Sequence, residues 1–232
     1  MRKNLTHTIE DYLKAIFEIT QSNKRASTNQ IAAQLGVKPA SVTGMIKKLA
    51  QTDPPLLEYQ SHQGVLLTSE GEKIALEIIR HHRLLELFLH QILGYEWDQV
   101  HDEADRLEHV ISEEFEERIA EALGHPRHDP HGDPIPNRDL TLPKRSTMSL
   151  SDIRPGQKVI IMQVNNEDPD LLRYLSNCGI TPNTDLIVKQ FSHYDENLSL
   201  QISGQDELVV LGPKITRDIY VQLLHEKQSR QN

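Results

Sequence analysis

The sequence contains a single cysteine, Cys178, among 232 residues. One cysteine excludes a disulfide within the chain and a zinc site built from several thiolates. No apolar run approaches the roughly 18 residues of a membrane span, and the most apolar stretches, 159 to 162 and 208 to 211, are short. Residues 2 to 8 are followed by Glu10 and Asp11 rather than by the apolar segment of a secretory signal peptide. These absences predict a soluble cytoplasmic protein that does not contact a membrane.

Charge is distributed unevenly along the chain. The formal net charge is −9, but residues 1 to 75 carry +2, residues 76 to 143 carry −10 and residues 144 to 232 carry −1. The middle section also holds eight of the twelve histidines. An acidic section that is rich in imidazole offers the charge and the nitrogen donors that a divalent cation needs. The first third, which is not acidic, remains compatible with a nucleic-acid partner.

The nonamer HDEADRLEH, at 101 to 109, carries the clearest chemical signal. If it lies in one helix from about residue 97 to residue 123, four metal-binding side chains share a face within a sector roughly 100° wide. They are His101, Asp105, Glu108 and His109. On the preceding helix, His82 and Glu86 share another face. Oxygen and imidazole donors favour a borderline-to-hard divalent metal, and an ordinary charged helix surface is the alternative.

The start of the chain has the pattern of a winged helix-turn-helix. Apolar periodicity predicts a helix from about residue 9, a second over 28 to 35 that ends at Gly36, and a third after Pro39. Ser27 and Gln30 have the spacing of a capping box for the second helix. Apolar runs at 56 to 59 and 65 to 68 then predict a β-hairpin, the wing.

The rest of the chain predicts helices followed by a small β-barrel. A long helix capped by Ser69 and ended by Gly94 precedes the nonamer. Residues 125 to 143 contain five prolines and no periodicity, so we expect a loop or linker there. Short apolar or alternating segments separated by turn residues then predict a barrel. Its strands are expected at 158 to 164, 186 to 191, 198 to 203 and 207 to 211, with a helix at 169 to 177.

Other charged positions are expected to be ordinary surface. Residues 113 to 117 contain four glutamates and predict a solvated acidic face. Five further histidines are expected at the surface or in loops. They are His81, His90, His125, His128 and His131.

Longer stretches of the sequence are typical of a known family. They are TIEDYL at 8 to 13, KPASVTGMIKKL at 38 to 49, GVLLTSEG at 64 to 71, HHRLLELFL at 81 to 89, VHDEADRLEHV at 100 to 110 and HDPHGDPIP at 128 to 136. In these stretches the chain resembles the DtxR/MntR family of metal-dependent bacterial transcriptional repressors. LSDIRPG and GITPNTDLIV resemble the FeoA-like, SH3-like barrel of the longer members. The resemblance covers nearly the whole chain.

The resemblance implies a mainly α fold with a small β-barrel, in three domains. A winged helix-turn-helix DNA-binding domain is expected at 1 to 72. An all-α metal-binding and dimerization domain with a proline-rich linker is expected at 73 to 143, and an SH3-like, FeoA-type domain at 144 to 232. The implied partners are double-stranded operator DNA and a second copy of the chain, and no small-molecule substrate besides the metal ion is expected.

Two metal sites per subunit are implied by the same resemblance. The primary site is expected at Asp11, Asp105, Glu108 and His109. The ancillary site is expected at His82, Glu86 and His101, with Glu167, Asp168 or Asp170 as further ligands from the C-terminal domain. Helix capping is the alternative role for Asp11, three residues after Thr8, and for Asp168, directly before Pro169.

Three positions depart from the family pattern. Iron-type members have a thioether and a thiol where this chain has Asp11 and Asp105, so its harder oxygen ligands favour Mn²⁺, with Fe²⁺ as the alternative. Members with a two-metal cluster have glutamate at the position of Lys14, which cannot coordinate while protonated. We therefore expect separate primary and ancillary sites. At Gly44, relatives carry a longer polar side chain that faces DNA.

Candidate DNA contacts lie on and around the predicted recognition helix. Lysines there are expected to meet phosphates, hydroxyls to reach base edges or phosphates, and Pro39 and Ala40 to touch thymine methyls. Arg25 and the wing residue His62 are expected to meet the DNA backbone. The full set is Arg25, Lys38, Pro39, Ala40, Ser41, Thr43, Lys47 and His62.

The sequence thus predicts a metal-activated DNA-binding regulator, not an enzyme, that represses metal-uptake genes by binding a palindromic operator as a dimer. Two other functions fit parts of the chain. DRLEH at 105 to 109 matches the inverted zincin pattern HxxEH except at Asp105, which makes a zinc metallohydrolase one alternative. A metal-independent winged-helix regulator that uses these helices only to dimerize is the other.

Overall fold

A computed structural model describes residues 5–60, 63–165 and 168–224. The chain divides into two compact units, each assembled from separate stretches. Within the described residues, the first unit takes in the chain up to His82, Asp105–Arg118 and Pro136–Leu142. The second takes in Arg83–Ala104, Ile119–Ile135 and the chain from Pro143 onward. The three-domain division remains a prediction.

The first unit begins with the predicted winged helix-turn-helix. Its elements are α1 (His7–Ser22), α2 (Thr28–Gln34), α3 (Pro39–Ala50), β1 (Leu57–Gln60) and β2 (Gly64–Leu67). The two strands are antiparallel, with Leu57 opposite Leu67. Because α1 begins at His7, Thr8 and Asp11 both lie inside it, and the capping alternative for Asp11 is wrong. The Asp11 carboxylate is therefore left for another role.

Local chemistry explains where α2 begins and ends. The Ser27 hydroxyl accepts from the Gln30 amide at 3.2 Å, and the Ser27 amide donates to the Gln30 side chain at 3.0 Å, which confirms the capping box. Past the end of α2, Gly36 has a φ of +63°, a conformation that costs glycine little. The apolar faces of α1, α2 and α3 meet in one core. Its fully buried members include Leu13, Ile16, Ile31, Ile46 and Leu49.

Helix α4 spans Ser69–Gln91, and the residue that caps it lies one position earlier than the sequence predicts. The cap is Thr68, whose hydroxyl accepts from the Gly71 amide at 3.2 Å, and Ser69 is already helical. A β-carbon at Gly71 would lie 2.2 Å from the Leu56 carbonyl oxygen, so glycine lets the first turn pack closely on the wing. Among the described residues, no helix combines the length and the apolar character needed to cross a membrane.

The single helix predicted from about residue 97 to residue 123 is wrong. The structure has two helices, α5 (Val100–Leu107) and α6 (Glu113–Ala122). Ser112 begins the second, because its hydroxyl accepts from the Phe115 amide at 3.2 Å. The β-branched Val110 and Ile111 precede this cap and favour helix less than unbranched residues do. Glu108 and His109 therefore lie on a short connection rather than on a helix face.

The predicted β-barrel is an antiparallel sheet of five strands in the second unit. The elements are β3 (Lys158–Val164), α7 (Pro169–Asn177), β4 (Asp185–Phe191), β5 (Leu198–Ile202), β6 (Leu208–Leu211), α8 (Pro213–Thr216) and β7 (Ile219–Leu223), in sheet order β6-β5-β4-β3-β7. Four strands and α7 match the prediction to within a residue. The sequence prediction missed β7, which pairs with β3 and buries Ile219 and Val221.

Ionic contacts order part of the proline-rich segment in the second unit. Arg83 donates to the Pro134 carbonyl at 2.6 Å and to Asp133 at 3.3 Å, and Arg145 donates to the same Asp133 oxygen at 2.6 Å. The buried Asp129 accepts from the His131 and Asp133 amides, both at 2.9 Å. A β-carbon at Gly132, whose φ is +88°, would lie 2.0 Å from the Met162 carbonyl oxygen. Residues 129 to 134 therefore form an ordered loop.

Candidate metal centre

Three predicted ligands of the primary site come together in the first unit. Nε2 of His109 lies 2.8 Å from an oxygen of Asp11 and 3.5 Å from Oε1 of Glu108. One ligand atom from each of the three residues falls within 4.8 Å of the others. Asp11 comes from α1, and the other two come from the connection after α5. Two carboxylates and an imidazole are a donor set that suits Mn²⁺ or Fe²⁺.

A fourth residue, Glu10, orients the His109 ring. Its carboxylate lies 2.7 Å from Nδ1 of His109, and the residue is only 3% exposed. The ring of His7 stacks on that of His109, with the two centroids 4.8 Å apart. Ligating histidines usually donate their second ring N–H to a carboxylate, which fixes the ring and its tautomer. Glu10 was not among the predicted site residues, although it is a carboxylate directly before the predicted ligand Asp11.

The same carboxylates shift the titration of His109. Burial alone lowers the pKa of this imidazole, but hydrogen bonds to Asp11 and Glu10 and the charge of Glu108 outweigh it and raise the pKa to about 9. At neutral pH and without metal, the ring is therefore protonated on both nitrogens. A metal ion on Nε2 would have to displace one proton.

Asp105 lies near Glu108 but outside the group of Asp11, Glu108 and His109. Its carboxylate lies 3.2 Å from Nδ1 of His82, a residue predicted for the ancillary site, and 2.9 Å from Nζ of Lys14. Asp105 and His82 form a second group with Glu108, so the role of Asp105 as a primary ligand stays a prediction.

Glu108 belongs to both groups. Its Oε1 faces His109, while its Oε2 lies 2.8 Å from Lys14 Nζ and 2.5 Å from His82 Nδ1. Burial raises the pKa of this carboxyl, but the hydrogen bond to His82 and the charge of Lys14 lower it further than burial raises it. For Lys14, burial lowers the pKa, and the carboxylates of Glu108 and Asp105 outweigh that effect and raise it. Both groups are therefore charged at neutral pH.

The remaining predicted ancillary ligands lie in the second unit. Glu86 is 2% exposed, and its Oε1 lies 3.2 Å from Nδ1 of His101. Asp168 caps α7 by accepting from the Asp170 amide at 3.0 Å, and Asp170 is exposed and paired with Arg173. Glu167 lies outside the described residues. The metal roles of Asp168 and Asp170 stay predictions.

A buried ionic cluster contradicts two of the surface expectations. Glu116, predicted to lie on a solvated face, is 6% exposed and accepts from Arg80 at 2.7 Å and from His81 at 3.1 Å. His81, predicted at the surface or in a loop, is fully buried, and its Nδ1 lies 3.1 Å from the Glu108 carbonyl oxygen. His131 is also buried. The Arg80, His81 and Glu116 cluster therefore supports the connection that carries Glu108 and His109.

The candidate DNA contacts lie on an exposed side of α3. Lys38, Pro39, Ala40, Ser41 and Lys47 are exposed, whereas Val42, Ile46 and Leu49 are buried in the core. The Thr43 hydroxyl donates to the Pro39 carbonyl at 3.1 Å, so its proton is already committed. Arg25 is half-buried beside the wing. His62 lies outside the described residues.

Three family profiles together match most of the chain. They are described as "Iron dependent repressor, N-terminal DNA binding domain" at residues 4–65, "Iron dependent repressor, metal binding and dimerisation domain" at 68–137, and "FeoA domain" at 148–223. The diphtheria toxin repressor of Corynebacterium efficiens is 31% identical over 194 residues, which are 79% of this chain and 84% of that protein. The chain belongs to the DtxR/MntR family of metal-dependent transcriptional repressors.

Other members of the DtxR/MntR family agree with this assignment. The iron-dependent repressor IdeR of Mycobacterium leprae is 28% identical over 198 residues, which are 80% of this chain and 85% of that one. A solved structure described as a manganese-dependent transcriptional repressor in complex with manganese has 37% identity and a TM-score of 0.84, covering 93% of this chain and all of the other. The predicted family and fold class, a mainly α protein with a small β-barrel, are confirmed.

Proposed function

We propose that this DtxR/MntR family member is a Mn²⁺-activated repressor, with Fe²⁺ as the alternative metal, that controls metal-uptake genes in the cytoplasm. The observation that carries the proposal is the group formed by Asp11, Glu108 and His109. It joins α1 of the winged helix-turn-helix to the connection between α5 and α6. Both of these helices lie in the segment matched as metal-binding and dimerisation domain. A cation there would fix α1 against that segment.

The energy required is within reach of such a site. Shifting a two-state protein from about 1:99 to 99:1 takes roughly 5.5 kcal/mol of differential metal affinity. The active arrangement would gain all the ligand bonds, while an arrangement with α1 displaced would lose Asp11. Because Glu10 and Asp11 both lie on α1, displacement of α1 would also remove the residue that orients His109.

Ligand type supports manganese over iron. The primary group has oxygen and imidazole donors, and the single cysteine of the chain, Cys178, lies at the end of α7 in the other unit. Sulfur ligands would favour softer metals, whereas carboxylates suit Mn²⁺. We propose a second, ancillary site at Glu86 and His101, to which Asp168 or Asp170 would contribute oxygen.

On DNA, the exposed side of α3 would enter the major groove. Lys38 and Lys47 would meet phosphates, and Ser41 with Pro39 and Ala40 would face base edges. In a homodimer, two such helices would contact successive major grooves of a palindromic operator, about 34 Å apart or a multiple of that. Arg25 and the wing would contact the backbone beside them.

The test is a titration of operator binding by the full-length protein with Mn²⁺, Fe²⁺, Co²⁺ and Zn²⁺ at one fixed salt concentration. Mn²⁺ is expected to promote binding, and Asp11→Asn is expected to abolish that response. Asp102→Asn, an exposed carboxylate on α5, is the matched control and should respond like the wild type. Metal-independent binding, or an Asp11→Asn protein that still responds to Mn²⁺, would refute the proposal.

The metallohydrolase alternative is not favoured. Its HxxEH pattern requires the glutamate and second histidine on one helix, but Glu108 and His109 lie beyond the end of α5. The relatives described above are repressors rather than enzymes. The metal-independent alternative predicts that Mn²⁺ has the same effect on operator binding by Asp11→Asn and by the wild type. The same titration therefore distinguishes it from the proposed function.

A further inference from the structure

The second ligand group of the first unit has an unusual neighbour. His82, Asp105 and Glu108 place one ligand atom each within 4.8 Å of the others, as a metal site would. Nζ of Lys14 lies 3.0 Å from His82 Nδ1, 2.9 Å from Asp105 Oδ1 and 2.8 Å from Glu108 Oε2. One ammonium group therefore contacts all three ligand residues.

The ammonium group matches this environment in charge. Its donors lie within 3.0 Å of two carboxylate oxygens, which accept from it, and of Nδ1 of His82. The Glu108 side chain is 1% exposed and that of Lys14 is 13% exposed, so the Glu108 carboxylate is shielded from solvent. A buried carboxylate needs a cation beside it.

We infer that Lys14 is a tethered cation that occupies the position of a second metal ion next to the primary site. The inference rests on the proposed metal function of Asp11, Glu108 and His109. Because Glu108 directs one oxygen at His109 and the other at Lys14, a metal ion in place of the ammonium would share this carboxylate with the primary metal. Lys14 thus sets the number of ions that the first unit binds.

Substitution of Lys14 then has a definite consequence for stoichiometry. Lys14→Met removes the charge and keeps a chain of similar length, which leaves Asp105 and Glu108 without their cation. Lys14→Glu also adds an oxygen donor. Both variants are expected to bind one Mn²⁺ more per chain than the wild type, whatever number the wild type binds. In Lys14→Glu, carboxylate bridging would hold two Mn²⁺ ions about 4 Å apart, and their electron paramagnetic resonance spectrum should show exchange coupling.

The experiment measures Mn²⁺ per chain by equilibrium dialysis and elemental analysis of the full-length protein. Lys14→Arg keeps the charge, and Lys24→Met removes an exposed lysine of the same unit. Both controls are expected to match the wild type. Folding is followed by circular dichroism with and without Mn²⁺, because a variant that folds only with Mn²⁺ would also show that the extra ion replaces the ammonium.

An unchanged stoichiometry in folded Lys14→Met and Lys14→Glu would overturn the inference. So would failure of both variants to fold even with Mn²⁺, since a metal ion should then restore the charge balance. The result is separable from the proposed function. If the wild type binds no Mn²⁺ at its primary site, the proposed function fails, yet a gain of one ion in the variants would still support the role of Lys14.

Discussion

Glu10 and His109 are joined by a contact of 2.7 Å between a buried carboxylate and Nδ1 of the imidazole, which leaves Nε2 directed at Asp11. Glu10→Gln is therefore expected to weaken Mn²⁺ binding by about 10- to 100-fold, the usual effect of losing the partner of a ligating histidine. Isothermal titration calorimetry measures it. Glu58→Gln, on the exposed side of β1, should leave the affinity unchanged. If the two variants bound Mn²⁺ with equal affinity, Glu10 would have no role in the metal site.

Metal binding at neutral pH should release a proton from His109. The pKa of about 9 means that this ring carries two protons at pH 7.5, and Mn²⁺ on Nε2 would displace one. Calorimetry in two buffers of different ionization enthalpy should show release of nearly one proton per chain from this group. An observed heat that does not depend on the buffer would contradict the prediction.

The same pKa predicts how the metal-free protein responds to alkaline pH. A histidine whose pKa rises on folding contributes stability below its unfolded pKa of about 6.5, and the contribution is lost as the pH rises through about 9. Urea unfolding of the metal-free protein should therefore show declining stability between pH 6.5 and pH 9. His109→Gln should lack this component, and a wild-type slope in that variant would assign it to another group.

The buried Glu116 is expected to stabilise the first unit. Glu116→Ala leaves Arg80 and His81 without their common carboxylate, and loss of one partner from a buried pair costs roughly 3 to 5 kcal/mol. Glu117→Ala is the control, because that glutamate reaches the exposed Arg138 only at 3.5 Å and should cost less than about 1 kcal/mol. Chemical unfolding of both variants at pH 7 gives the comparison, and similar losses would contradict it.

Glu116 also gives the protein an acid-sensitive component. Burial raises the pKa of this carboxyl, but His81 and Arg80 lower it by more than burial raises it. The pKa therefore lies below its ordinary 4.5. Its stabilising contribution is present above pH 4.5 and is lost as the pH falls through the lower folded value. Glu116→Ala should show a smaller loss of stability in that acid range than the wild type. Parallel pH profiles of stability for the variant and the wild type would contradict this prediction.

Gly44 offers a test of α3. A β-carbon there would meet nothing within 4 Å, so Gly44→Ala is expected to raise the free energy of unfolding by up to about 1 kcal/mol through helix propensity. Thermal unfolding measures the gain. Gly71→Ala is the contrasting variant, since its β-carbon would collide with the Leu56 carbonyl and should destabilise the protein. A destabilised Gly44→Ala protein would contradict the prediction.

Sequence patterns predicted most of the fold because most elements have local signals. Ser27 and Gln30 mark the start of α2, and Asp168 with Pro169 marks that of α7. The break after Leu107 was missed because apolar spacing runs on through residues 111 and 115, while the connection after it also makes contacts with distant residues. Among these are Lys14 and His82, which engage Glu108.

The site was predictable in its ligand types but not in its grouping. Asp11, Glu108 and His109 follow from the family resemblance, and the structure brings them together. Asp105 falls in a group with His82 and Glu108, and helical spacing could not show that Lys14 approaches it from α1. Glu116 looked like one of four equivalent surface glutamates, and only the position of Arg80 and His81 makes it different.

The end of α5 at Leu107 has a consequence for how the site fits an ion. Ligands within one helix are held to a fixed rise and rotation per residue, whereas the positions of Glu108 and His109 are held by His81 of α4 and Glu10 of α1. The spacing of two ligands that are adjacent in the sequence is thus set by residues far from them in the chain. Substitutions in α1 or α4 would therefore alter the fit of an ion without changing any ligand.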